Sequence, residues 1–129
     1  MSLNEYMTTD DITNVNFKSF AITKKQEYID RVNDFYESLA ISKNMKVEDI
    51  AYPIQLLVKE MLQYKVNMDM AFDCITGSST NNGASKYDVI YSLNRDQYLV
   101  TVKQVNTGLI SGTNNSATST FKMIETVRG

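Results

Sequence analysis

Asp69, Asp73 and Cys74 are the residues of this chain whose types and spacing come nearest to chemistry. Carboxylates at i and i+4 share one face of a helix and could share a cation. Two ligands are too few for a protein-held ion, and Lys65 stands four residues before Asp69 to neutralise it. The pair therefore reads as a solvated, ion-paired face. Cys74 is the only cysteine, which rules out an internal disulfide and a cysteine-based metal cluster. With no partner base nearby it reads as a buried structural thiol. The chain has no histidine, so imidazole-dependent triads and histidine-bound zinc are excluded. Glu60 and Asp69 are of the types a general acid and base require, but nothing in the sequence converges on them. The stretch Gly77 to Ser85 has the composition of a phosphate loop. Its spacing is wrong, Ala84 stands where the lysine belongs, and a helix precedes it. These residues point to a protein that catalyses nothing, carries no cofactor or metal, and works by contact.

The elements that would build such a contact surface fit one domain of 129 residues, with 43% apolar and 22% charged side chains. A chain of this size can bury a core without cross-links. The net charge of −2 gives no broad reason for nucleic-acid or membrane binding. Residues 1–76 carry eight basic and twelve acidic side chains, residues 77–129 five and three, so the second part is the more basic. No basic helix face interleaved with aromatics appears that would read DNA sequence. The first residues show no basic and apolar leader, and no apolar run approaches a membrane span. A reducing compartment suits the single thiol.

The fold expected is mainly α, a small three-helix bundle with extended termini. Residues 1–22 read as an irregular N-terminal arm, 23–110 as the helical domain and 111–129 as an extended tail. Thr23 and Gln26 have capping-box spacing. Tyr28, Ile29, Val32, Phe35, Tyr36 and Leu39 then form one apolar stripe, which predicts a helix over 24–42. Pro53 suits the first turn of a second helix running to about residue 75, with Ile54, Leu57, Val58, Met61, Met68, Phe72 and Ile75 in helical register. Asn82-Gly83 signals a turn in a polar loop over 78–85. A third helix is expected over 86–105, although Tyr98-Leu99-Val100-Thr101-Val102 would also suit a strand. Residues 106–120 read as a linker, and Phe121, Met123 and Val127 alternate as in a short terminal strand. Ile29, Val32, Leu39, Leu57, Met61 and Tyr91 are the expected core.

The methionines at helical spacing suit either core packing or an adaptable contact surface. The residues expected to touch a partner are Met68 and Met70 on the second helix and Phe121, Met123 and Val127 in the tail. An alternating terminal segment can pair with a neighbour's edge while its side chains fill pockets.

The order of parts carries a resemblance. An irregular arm leads to an amphipathic helix ending in Leu39-Ala40, then to Ile50-Ala51-Tyr52-Pro53-Ile54 and a long apolar helix. A polar loop with Lys86-Tyr87, a third helix, Val105 to Ile110 and an extended tail follow. Over about residues 23–110 this resembles the helical head–tail adaptor (connector, or head-completion) proteins of tailed bacteriophages. The resemblance implies a ring of about a dozen copies under the portal protein, with helices packed between subunits and tails gripping neighbours. It also implies a tail or stopper protein on the other side, DNA passing non-specifically through the lumen, no membrane, and a place in the virion neck after assembly in the host cytoplasm. The tail after Gly112, rich in Asn, Ser and Thr, departs from that pattern. A small helical protein-binding or regulatory module, also without enzymatic activity, is the alternative.

Overall fold

The computed structural model describes residues 4–77 and 81–113. Among them are four helices, α1 (Ile22–Ser42), α2 (Leu56–Gly77), α3 (Asn81–Gln104) and α4 (Thr107–Ser111), and no strand. The mainly helical bundle read from the sequence is the fold.

The first helix buries the stripe expected of it, with Tyr28, Ile29, Val32, Tyr36 and Ala40 all inside. Its start differs. Ala21 is the cap residue and the Lys25 amide bonds to the Ala21 carbonyl at 3.0 Å, so Thr23 already lies in the first turn. Gln26 therefore has no cap to close and donates to Asp30 at 2.9 Å. The helix stops where Asn44 adopts a left-handed conformation with φ 66°. The Met45 amide then returns to the Ala40 carbonyl at 3.1 Å. Asparagine tolerates that backbone better than most residues.

Pro53 lies ahead of α2 and not in its first turn. The Ala51 amide donates to the Ile110 carbonyl at 2.8 Å, which ties the chain to α4 before the helix opens at Gln55–Lys59. From there α2 packs against α1, α3 and α4 and is the hub of the domain. It buries Leu57, Val58, Met61, Leu62, Val66, Met70 and Ala71. Having apolar residues on several sides is what a central helix requires.

Helix α3 begins at Asn81, so Asn82-Gly83 lies inside a helix and not in a turn. Only residues 78–80 separate it from α2, and the two run antiparallel: Cys74 meets Tyr87, Phe72 meets Tyr91 and Asn67 meets Asn94. The stretch 98–102 is helical. Thr101 and Val105 are buried and Tyr98 and Val102 pack against the core at helical spacing. The Thr101 hydroxyl bonds back to the Gln97 carbonyl at 2.9 Å, which satisfies the one polar group that burial would orphan. Packing on α2 thus overrides strand propensity.

The expected linker over 106–120 begins with structure. The Asn106 side chain caps α4 through the Leu109 amide at 2.9 Å, and Leu109 and Ile110 are buried. Gly112, with φ 81°, ends α4. A Cβ there would come within 2.9 Å of the Ala51 Cβ, so glycine allows the chain to close on the start of α2.

The segment expected as an irregular arm lies in the core. Met7 and Phe17 have no exposed surface, and Tyr6 and Ile12 are nearly as deep. Both backbone groups of Met7 bond to the buried Asn33 side chain of α1, at 2.9 and 3.1 Å. Of the six expected core residues, Ile29, Val32, Leu57 and Met61 are buried, while Leu39 and Tyr91 are half-buried against the core's edge.

Candidate contact surface

The residues singled out for chemistry are held in separate structural pairs. Lys65 bonds to Asp69 at 3.0 Å on α2, as expected. Asp73, one turn on, faces α1, where it accepts the Tyr28 hydroxyl at 2.5 Å and lies 3.5 Å from the Arg31 guanidinium. Burial, reinforced by that hydrogen bond, pushes the Tyr28 phenol well above its ordinary range. Cys74 is half-buried and hydrogen-bonds with Tyr87 of α3; burial raises the thiol and the phenol alike. Both groups stay neutral near pH 7, which is the state of a packing thiol and not of a nucleophile. Among the described residues, no group of three or more His, Cys, Asp or Glu side chains could hold a metal ion.

The residues expected to touch partners divide. Met70 is fully buried among core side chains, so it belongs to the interior and offers a partner no surface. Its row on α2 faces inward because α2 is enclosed by three helices. Met68 is half-buried on the same helix. Phe121, Met123 and Val127 lie outside the described residues.

An apolar surface does exist on α3. Val89 is 58% exposed, Leu93 62%, Val100 52% and Leu99 47%. Val89, Leu93 and Val100 follow i, i+4, i+11, one row along the outer side of the helix. The inner side, through Tyr87, Ile90, Tyr91, Tyr98, Thr101 and Val105, packs on α2 and the core. A helix with two opposed apolar rows needs cover on both sides, and α3 receives it on one. The spacing of Val89, Leu93 and Val100 was present in the sequence. It was masked by the denser inner row, from which it can be separated only once the direction of α2 is known.

In comparisons with known proteins, no family model, no curated protein and no solved structure matches the chain. No helix among the described residues is long and apolar enough to cross a membrane.

Proposed function

We propose that this protein is a non-enzymatic structural subunit that works by assembly, as a ring component in the neck of a tailed bacteriophage. The observation that carries the assembly reading is the outer row of α3, where three large apolar side chains on one helix face remain more than half exposed. Large apolar side chains left exposed along one helix face favour an interaction site. The neck ring itself rests on the order of parts along the sequence. In it, about twelve copies close head to tail around a DNA-conducting lumen, with the portal protein on one side and a tail or stopper protein on the other. A near-neutral wall suits a conduit that must not grip phosphates. The segment 114–129, with Phe121, Met123 and Val127, supplies the grip on a neighbour.

Native mass spectrometry and negative-stain electron microscopy of the full chain, alone and mixed with portal protein, test this reading. The expected result is a closed ring seated on the portal. Removing residues 114–129 should leave a folded domain that no longer joins it. The cut falls after Thr113 because the Thr113 amide still closes α4 on the Gly108 carbonyl at 2.8 Å. A chain that neither rings nor binds portal protein would leave no ground for the neck assignment.

A further inference from the structure

We infer that the outer face of α3 is built to pair with the same face of a second copy, antiparallel and about a two-fold axis. This goes beyond the neck reading and does not depend on it. An isologous pair and a head-to-tail ring cannot both use this face at once, so the pair is the form of the free chain.

The pairing is decided by how charge is laid along the apolar row. At 3.6 residues per turn, Val89, Leu93, Asp96, Val100 and Lys103 fall within roughly an 80° arc. All five are exposed. Asp88, Ser92 and Leu99 flank this arc on the side toward Lys103, and all three are exposed as well. On an antiparallel helix pair, equivalent flanks face each other. The acidic residue near the start of the row then comes level with the basic one near its end, so Asp88 meets the partner's Lys103, twice per pair.

That register places the axis midway between residues 88 and 103, between Arg95 and Asp96. Asp96 interrupts the apolar row, and covering it with an apolar surface would strand a charge. At the axis it meets the partner's Arg95, which already lies 3.3 Å from Asp96 of its own chain. The two ion pairs then close into one cluster. On the opposite flank Lys86 meets the partner's Gln104, without a like-charge clash. A parallel pair does the reverse. It sets Asp96 and Lys103, which lie within the row, each against its own copy, which electrostatics opposes.

Sedimentation velocity of the full chain across a wide concentration range, at low salt, tests the inference. The wild type is expected to show a monomer–dimer equilibrium. Leu93→Asp should weaken it at least about 100-fold, because each pair loses two buried leucines. Circular dichroism should show that variant still folded, since Leu93 is 62% exposed in the single chain. Asp88→Lys alone and Lys103→Asp alone should each weaken pairing several-fold to about 10-fold, because two contacts change sign. The two reversals together should restore it. A double reversal no better than the single ones overturns the antiparallel arrangement. A ring abolished by Leu93→Asp but indifferent to the charge reversals overturns the pair and leaves the neck reading standing. A wild type monomeric throughout also overturns the pair. If such a monomer dimerises once residues 114–129 are removed, the face belongs to the chain's own tail.

Discussion

Replacing Asn33 tests whether the N-terminal segment is part of the core or an appendage to it. The side chain is 1% exposed, and it accepts the Met7 amide at 2.9 Å and donates to the Met7 carbonyl at 3.1 Å. Met7 itself is fully buried, so water does not reach these groups in the folded chain. Asn33→Ala orphans both, at about 1–3 kcal/mol each, which gives a loss of roughly 2–6 kcal/mol. A domain of this size has about 5–15 kcal/mol in all, so the effect is large. At roughly 3–5 °C per kcal/mol the melting temperature should fall by about 6–30 °C. Asn33→Asp keeps the shape but sets a second acceptor against the Met7 carbonyl, and should cost at least as much. Urea denaturation followed by circular dichroism measures the loss, and hydrogen exchange at the Met7 amide reports local release. A loss below about 0.5 kcal/mol with the Met7 amide still protected would show that the clasp contributes nothing and that the reasoning is wrong.

Three further outcomes are expected. Leu57→Ala should destabilise by about 2–5 kcal/mol in the same urea assay, since Leu57 is buried at the start of α2. Gly112→Ala should cost about 1–2 kcal/mol, from a left-handed backbone at φ 81° and a Cβ pressed onto Ala51, and should loosen α4 in hydrogen exchange. Alkaline pH should unfold the chain cooperatively. Burial raises the phenols of Tyr6, Tyr28 and Tyr36 above their ordinary range. The unfolded chain ionises them near pH 10, so their contribution is complete below that and is lost as pH rises. Three tyrosines give about 3 kcal/mol between roughly pH 10 and 11, measurable as a fall in the urea midpoint. An unchanged midpoint over that interval would count against their burial.

The fold class and the long helices were legible from the amino-acid order because each carries its own 3.6-residue record. The stripe from Tyr28 to Ala40 needs no partner to be recognised. The absence of histidine, and a single cysteine without a base beside it, likewise set the chain apart from imidazole and cysteine-cluster chemistry by residue type alone.

What only tertiary structure decided is where local signals were weak or in conflict. Tyr98 to Val102 carries strand propensity, and its helicity follows from packing against α2 and the core. Residues 4–20 show no period, because 3-10 turns bury side chains by position against α1 and α2 and leave no repeat to read. Short α4 reads as linker until Leu109 and Ile110 are seen inside, held there by Ala51. The assignment of Met70 to a contact surface missed for the same reason. Met70 is polarisable and adaptable on either side of a helix, and spacing states which residues share a face but not which face turns inward. The direction of α2 settles that. It sends Met70 into the core and leaves Val89, Leu93 and Val100 of α3 outside, because a helix packed on one neighbour can bury only one of two apolar rows.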